Sequence, residues 1–174
     1  MKSRKIQVER IRAVILDVDG VLTDGRFGYA GGDAEIKFFH ARDGHGIKLL
    51  RRAGFQVGIL SGRASAANRR RAAELELDFL YEGEKDKQAA FKRLLTQLEL
   101  GPENCLYMGD DLVDVPVFRA AGIAVAVADA VPEARAAADW CTKSPGGAGA
   151  VREMAEWLLR KTGKWSAVTQ RYLA

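Results

Sequence analysis

The sequence has few cysteines, few histidines and no long hydrophobic run, and each of these features is required by some class of protein. Among its 174 residues there are two cysteines, Cys105 and Cys141, and two histidines, His40 and His45. Two isolated cysteines in apolar segments predict reduced thiols, and two histidines without a serine elbow or Cys-His signature argue against triad hydrolysis. No run of 18 apolar residues is present, and no signal-peptide apolar region follows the basic N-terminus. The sequence therefore predicts a cytoplasmic protein with no membrane partner.

The charge balance is basic, with a net charge of +4 and an isoelectric point of about 9.2. The basic residues are spread along predicted helices, with one local cluster at Arg69, Arg70 and Arg71. No aromatic residues interleave with them, and no nucleic-acid motif appears. An anionic small substrate explains a basic balance equally well. We therefore expect a small anionic ligand and no nucleic-acid partner.

Strand and helix patterns alternate along the chain. Apolar runs typical of strands in a parallel sheet occur at about 12–17, 55–60, 78–81, 104–108, 123–127 and 140–142. Helices are expected at about 43–53, 64–75, 85–99, 113–121, 130–138 and 150–161. This alternation predicts an α/β fold with a doubly wound, mainly parallel Rossmann-like sheet. We expect one domain over residues 1–174, with a core of about 11–161 and a polar tail at 162–174.

Residues 25–39, between the first strand and the first helix, have a different pattern. Short aromatic and apolar pieces flank Gly31-Gly32-Asp33, which is typical of a β-hairpin. Because this segment follows the first strand directly, we expect a small hairpin flap near the end of that strand. The connections after the first and third strands are too short to hold a cap domain.

Polar side chains follow four of the predicted strands. They are Asp17 and Asp19, Ser61, Lys87, and Asp110, Asp111 and Asp114. Because the carboxyl ends of parallel strands meet at one edge of a sheet, these side chains can converge there. Buried carboxylates need a compensating partner, and a divalent cation is the usual one. The sequence therefore predicts a metal-assisted active site at this edge.

The residues alone leave alternatives open for several of these positions. Ser61 could instead cap the following helix, and Lys85 competes with Lys87 for the cationic role. One of the three aspartates after the fourth strand could also be a helix cap. His45 could contact a substrate, although a structural role is the commoner one for such a histidine.

In order and residue type, these segments resemble the four motifs of the haloacid dehalogenase superfamily of phosphohydrolases. The resemblance implies that Asp17 is a nucleophile that forms an aspartyl-phosphate. It also implies that Asp19 protonates the leaving alcohol and then activates water. Ser61 would donate a hydrogen bond to the transferring phosphoryl group, and Lys87 would supply positive charge to it.

The same resemblance implies a Mg²⁺ cofactor. Asp17, the backbone carbonyl of Asp19, and Asp110 would bind the ion, which would offset repulsion between the attacking carboxylate and the phosphate. Asp111 and Asp114 would support these ligands rather than bind the ion themselves.

Longer stretches at 17–24, 39–44, 60–63, 108–114, 125–130 and 149–153 resemble the 3-deoxy-D-manno-octulosonate 8-phosphate phosphatase family. This resemblance covers roughly residues 11–161. It implies Mg²⁺-dependent hydrolysis of a sugar-acid phosphate in lipopolysaccharide biosynthesis. It also implies an uncapped homotetramer in which the hairpin and neighbouring subunits build the closed site.

The substrate of that family carries a carboxylate as well as a phosphate, so a second cationic contact is expected. Arg63 is the first candidate and Arg42 the second. Ala148 stands where relatives often carry a basic residue, which leaves the choice of sugar open. Two other hypotheses are a phosphatase for another sugar-acid phosphate, such as 2-keto-3-deoxy-nonulosonate 9-phosphate, and a catalytically silent oligomerisation module.

Overall fold

The structure, a computed structural model, describes residues 6–31 and 35–173. The strands in these ranges are β1 (Ala13–Leu16), β2 (Gly28–Tyr29), β3 (Glu35–Ile36), β4 (Gln56–Leu60), β5 (Phe79–Tyr81), β6 (Cys105–Gly109), β7 (Ile123–Ala126) and β8 (Trp140–Cys141). The α-helices are α1 (Ala41–Arg52), α2 (Ala66–Glu74), α3 (Lys87–Leu98), α4 (Val115–Ala120), α5 (Pro132–Ala137), α6 (Ala150–Lys161) and α7 (Trp165–Leu173). Short 3₁₀ helices lie at Val8–Arg10, Pro102–Asn104 and Leu112–Asp114.

Six strands form a parallel sheet in the order β5-β4-β1-β6-β7-β8. β1 is central, with Leu16 paired between Ile59 of β4 and Met108 of β6. All four residues of β1 are buried, as expected for a strand covered on both faces. The predicted doubly wound, mainly parallel fold is confirmed. The carboxyl ends of β1, β4 and β6 therefore lie side by side, where such folds bind ligands.

The helices pack in two groups around this sheet. α1 packs against α6 and α7, while α4 packs against α3 and α5. The core between helices and sheet is closely packed, and Tyr107, Phe91 and Phe118 are its largest fully buried side chains. No helix in the described ranges is long and apolar enough to cross a membrane.

The predicted hairpin pairing is confirmed. β2 and β3 form a separate antiparallel pair in which Gly28 lies opposite Ile36. The predicted turn includes Gly32 and Asp33, which lie outside the described residues. β3 contacts α2, so the hairpin is placed beside the sheet edge that carries the polar residues.

The chain end differs from the sequence prediction of a polar tail. α7 (Trp165–Leu173) packs on α1 and α6 and buries Val168 and Thr169. The Tyr172 ring contacts the His45 ring edge to face, and the Tyr172 hydroxyl accepts a hydrogen bond from Arg52 at 2.9 Å. A short helix of this kind is stabilised by docking rather than by its own propensity, so the local pattern did not reveal it. His45 here has a structural contact.

Candidate active site

Asp17 follows β1 directly and is only 5% exposed. Its Oδ1 accepts a hydrogen bond from the Val18 amide at 2.7 Å, and its Oδ2 lies 2.8 Å from Lys87 Nζ. Burial raises the pKa of Asp17 to about 6, against the opposing attraction of Lys87. The structure thus holds a carboxylate in a fixed orientation at the strand end, beside a cation that favours its ionised form.

Lys87 is the first residue of α3, and its side chain is 2% exposed. Its Nζ lies 2.6 Å from Asp114 Oδ1 as well as 2.8 Å from Asp17 Oδ2. Burial alone would lower the pKa of Lys87, but the two carboxylates raise it overall. Lys85 is exposed and has no ion pair within the described chain. The structure therefore brings Lys87, and not Lys85, to Asp17.

Asp114 lies at the end of the 3₁₀ turn after β6 and is fully buried. Its Oδ1 accepts hydrogen bonds from Lys87 Nζ at 2.6 Å and the Tyr107 hydroxyl at 2.7 Å. Its Oδ2 accepts from the amides of Asp110 at 2.8 Å and Asp111 at 3.1 Å. Both oxygens are thus already supplied with donors. Asp114 holds Lys87 and the Asp110 backbone in place, which fits the supporting role predicted for it.

Asp111 lies on the surface beside this turn. It is exposed, and its Oδ1 accepts a hydrogen bond from the Leu112 amide at 2.6 Å, which caps the 3₁₀ turn. One of the three aspartates after this strand is therefore a cap. That Asp111 supports a metal ligand stays a prediction. Its backbone amide, and not its side chain, is hydrogen-bonded to Asp114.

Asp110 follows β6 and faces Asp17 across the sheet edge. Within the described residues its carboxylate has neither a hydrogen bond nor an ion pair, and it lies against Gly20, where a Cβ atom would overlap it. Gly20 also has a φ of +89°, so this position requires glycine on two grounds. Burial, together with the nearby charges of Asp17 and Asp114, raises the pKa of Asp110 to about 8.

These carboxylates fit a divalent cation. Oxygen atoms of Asp17, Asp110 and Asp114 all lie within 4.8 Å of one another. Asp114 is the least suited to bind an ion, because its oxygens already accept from four donors. Asp17 is buried and Asp110 is partly buried, and both carboxyl groups have raised pKa values, so a hard cation with oxygen ligands would stabilise their ionised forms.

The raised pKa values predict that protons compete with the metal. A bound cation needs ionised ligands, so Mg²⁺ has to displace the protons of its ligands. The pKa of Asp110 is about 8 and that of Asp17 is about 6. Below about pH 8 Mg²⁺ therefore competes with a proton on Asp110, and below about pH 6 also with one on Asp17. We expect Mg²⁺ affinity to rise with pH across this interval, with protons released on binding. Calorimetric titrations in two buffers of different ionisation enthalpy measure both quantities. Affinity that is independent of pH, without proton release, would contradict this account.

Asp19 lies two residues beyond Asp17, under the hairpin, and its side chain is 16% exposed. Its Oδ1 lies 2.5 Å from Lys37 Nζ, and its Oδ2 lies 3.9 Å from Arg63 Nε. The Lys37 side chain is fully buried and also contacts Glu35 at 3.2 Å. The predicted general acid is therefore paired with cations in the described structure.

Ser61 follows β4 and is 1% exposed. Its Oγ accepts a hydrogen bond from the Arg63 amide at 3.3 Å, which leaves the hydroxyl hydrogen available to donate. The alternative that Ser61 caps α2 is wrong, because Ser65 occupies the cap position and accepts from the Asn68 amide at 3.1 Å. Its phosphoryl contact stays a prediction.

The two candidate substrate arginines differ in position. Arg63 is half exposed, its Nη2 lies 2.6 Å from Glu35 Oε2, and its guanidinium stacks 4.3 Å from the centre of the Phe27 ring. Arg42 is exposed in the first turn of α1, with no hydrogen bond or ion pair to the residues that the structure describes. The structure brings Arg63 next to Asp19 and does not bring Arg42 there.

Several residues of this site were not identified from the sequence. Tyr107 lies inside an apolar strand, where nothing local marks its hydroxyl as a partner of Asp114. Glu35 and Lys37 are two residues apart in an extended segment, so they share a face, and that spacing could have indicated a charged pair. Asp43, by contrast, belongs to the 39–44 stretch that carries the family resemblance. It is buried and accepts hydrogen bonds from the Gly149 and Arg152 amides at 3.1 and 2.7 Å, so it caps α6.

The turn before α6 supports the loop after β1. A Cβ atom at Gly146 would overlap the Gly20 carbonyl, so only glycine allows this close approach. The Gly146 amide also donates a hydrogen bond to Asp129 at 2.9 Å. Ala148, in the same turn, is exposed and adds no charge near the site.

Comparison with known proteins agrees with this geometry. A family model described as haloacid dehalogenase-like hydrolase matches residues 77–154, which contain Lys87, Asp110 and Asp114. The fold and the site together define a hydrolase of this class. The chain is also 44% identical over 158 residues to 3-deoxy-D-manno-octulosonate 8-phosphate phosphatase KdsC from Escherichia coli K12, which covers 91% of this chain and 84% of that protein. The chain belongs to the 3-deoxy-D-manno-octulosonate 8-phosphate phosphatase family.

Solved structures of relatives are similar throughout. The phosphatase from Moraxella catarrhalis, in complex with magnesium, phosphate and the sugar acid KDO, is 35% identical with a TM-score of 0.92 and covers 95% of each chain. The cobalt-bound phosphatase from Haemophilus influenzae is 45% identical with a TM-score of 0.90, covering 96% of this chain and 99% of that one.

Proposed function

We propose that this protein hydrolyses 3-deoxy-D-manno-octulosonate 8-phosphate to the free sugar acid and phosphate, in lipopolysaccharide biosynthesis. The observation that carries the proposal is the buried Asp17, which has Lys87 on one oxygen and the unpaired Asp110 carboxylate beside it. Relatives named for this activity cover most of the chain at 44% identity. We extend their activity to this protein because its residues can perform each step.

Uncatalysed hydrolysis of a phosphate monoester is so slow that an enzyme must lower its barrier by roughly 20 kcal/mol or more. Division of the reaction into two steps makes this feasible. In the first, which starts with Asp19 protonated, an Asp17 oxygen attacks phosphorus, the bond to the sugar oxygen breaks, and Asp19 gives that oxygen its proton. In the second, Asp19 takes a proton from water as the water attacks phosphorus, and the bond to Asp17 breaks to release phosphate.

The cationic and donor groups around Asp17 hold the phosphoryl group. Lys87 is fixed by Asp114, so its charge stays at the position where negative charge develops. Ser61 donates its hydroxyl to a phosphoryl oxygen. Asp17, Asp110 and the carbonyl of Asp19 would hold Mg²⁺, which would supply the charge that offsets repulsion between the carboxylate and the phosphate.

A substrate panel tests this function. Phosphate release is measured with Mg²⁺ for the eight-carbon and nine-carbon keto-acid phosphates and for ordinary hexose phosphates. We expect kcat/KM to favour the octulosonate 8-phosphate by roughly 100-fold or more, because a site built for a carboxylate rejects substrates without one. Chelation should stop turnover and Mg²⁺ restore it. Preference for the nonulosonate would favour the other sugar-acid phosphatase, and no hydrolysis at all would favour the silent module.

We also propose that the protein is a homotetramer whose neighbouring subunits complete the site. Supporting this, the described residues of the segment from Phe27 to Phe38 expose apolar side chains beside the site, with Tyr29 74% and Phe38 76% exposed. Leu112 and Val113, next to Asp111, are also more than half exposed. Contiguous exposed apolar side chains mark interaction surfaces.

Light scattering coupled to gel filtration measures the assembly. We expect a tetramer for the wild type, and for Phe38→Ser a shift to smaller species with a loss of turnover. Arg26→Ser, at a polar and exposed position immediately before this segment, is the control and should stay tetrameric. A fully active monomer would contradict the proposal.

The organisation as one phosphatase domain over residues 1–174 is likewise a proposal, supported by the single six-stranded sheet whose edge carries the site. The cytoplasmic location stays a prediction from the sequence. The free thiols of Cys105 and Cys141 are in keeping with it.

A further inference from the structure

Four charged side chains form a closed network between the hairpin and the sheet edge. Lys37 contacts Asp19 at 2.5 Å and Glu35 at 3.2 Å, and Arg63 contacts Glu35 at 2.6 Å and Asp19 at 3.9 Å. Two carboxylates and two cations therefore alternate around a ring. Asp19 belongs to the proposed reaction and Arg63 to proposed substrate binding, whereas Glu35 and Lys37 have no role in the mechanism above.

The Glu35 carboxylate is incompletely hydrogen-bonded in this ring. Its Oε2 accepts from Arg63, but its buried Oε1 lies near Lys37 without a hydrogen bond of good geometry. Although burial opposes ionisation, the hydrogen bond from Arg63 and the nearby charge of Lys37 lower the pKa of the Glu35 carboxyl. Glu35 is thus an anion that occupies two cations beside Asp19.

We propose that Glu35 is a built-in competitor for the carboxylate of the substrate. In the free enzyme it occupies Arg63 and Lys37, and a sugar-acid phosphate replaces it there with its own carboxylate. This inference rests on the proposed function, because it assumes a substrate with a carboxylate as well as a phosphate. The exchange draws Lys37 away from Asp19, which frees Asp19 to reach the leaving oxygen.

The surroundings provide room and a second partner for the displaced side chain. Glu35 and Lys37 line a cavity of about 420 Å³ that is also lined by Arg71. The Arg71 Nε is buried and has no hydrogen-bond acceptor among the described residues. Arg71 Nη1 already lies 3.5 Å from Glu74 Oε2, so its Nε is the donor that remains open to a displaced Glu35 carboxylate.

The competition makes Glu35 a determinant of specificity. A phosphate ester without a carboxylate offers no replacement for Glu35, so the ring stays closed and Asp19 stays paired with Lys37. A substrate with a carboxylate opens the ring. Its apparent affinity is lower than its intrinsic affinity, because in part of the free enzyme Glu35 is bound to Arg63 and Lys37.

Glu35→Gln tests the competition, because glutamine keeps the size of the side chain but not its charge. We expect the free sugar acid, 3-deoxy-D-manno-octulosonate, to bind roughly five- to tenfold more tightly by calorimetry, and KM for its 8-phosphate to fall by a similar factor. Glu84→Gln is the matched control, since it removes the same charge from an exposed pair with Arg93 and should change neither value.

The outcomes separate the two proposals. Weaker or unchanged binding of the sugar acid by Glu35→Gln, in a protein whose wild type hydrolyses the octulosonate phosphate, overturns the competition and assigns Glu35 to the positioning of Arg63 and Lys37. A wild type that does not hydrolyse this substrate overturns the proposed function instead.

Discussion

Replacing Asp17 by asparagine is expected to lower kcat by about 10⁴-fold or more, because the reaction loses the atom that attacks phosphorus. The fold should persist. The amide is nearly the size of the carboxylate, and Lys87 keeps Asp114 as its partner at 2.6 Å. Loss of one buried anion with a raised pKa also relieves repulsion with Asp110.

Steady-state kinetics and rapid-quench labelling with ³²P-substrate measure this effect. The wild type should show a covalent phosphoenzyme, and Asp17→Asn should show none, while thermal unfolding stays similar. Asp24→Asn, an exposed position in the same loop, is the matched control and should retain turnover. Substantial activity in a mass-verified asparagine protein would remove Asp17 as the nucleophile.

Lys87→Gln is expected to lower kcat by about 10²- to 10³-fold, the usual effect of the loss of one group that stabilises developing charge. The substitution also removes the ammonium group that pairs with Asp17 and Asp114 and whose charge lowers the pKa of nearby Asp110. Mutual repulsion should then raise the pKa of Asp17 further, so that it is protonated and inactive at neutral pH. Because a broken buried pair leaves an uncompensated charge, the free energy of unfolding should fall by about 3–5 kcal/mol.

Denaturant unfolding and the pH dependence of kcat check both parts. Activity of Lys87→Gln should recover partly as the pH rises, since the carboxylates ionise again. Lys85→Gln removes the same charge two residues away from an exposed side chain and should behave as wild type. If the Lys85 variant loses activity and the Lys87 variant keeps it, the assignment of the cation is wrong.

The sequence by itself determined the architecture and most of the site. The apolar runs of β1, β4, β6 and β7 are local patterns, and their alternation with helices admits few topologies besides a parallel sheet. The strand-end location of Asp17, Ser61 and Asp110 follows from that sheet, because parallel strands present their carboxyl ends at one edge. Their residue types then indicated a metal-assisted site, and the resemblance of their motifs to those of the haloacid dehalogenase superfamily implied phosphoryl transfer.

The tertiary structure decided which groups are in contact. Lys87 rather than Lys85 reaches Asp17, and Ser65 rather than Ser61 caps α2, although the sequence patterns allow either. Helix α7 is stabilised by docking on α1 and α6, which local propensity does not report.

The charge network of the hairpin is the clearest example of contacts that the sequence does not reveal. Lys37 and Asp19 are 18 residues apart, and Lys87 and Asp114 are 27 apart. Such pairs form only when packing brings distant segments together and removes water from between their charges. The sequence therefore determines which chemical groups the site contains. The packing of the fold determines which of these groups are paired and how burial shifts their charge states.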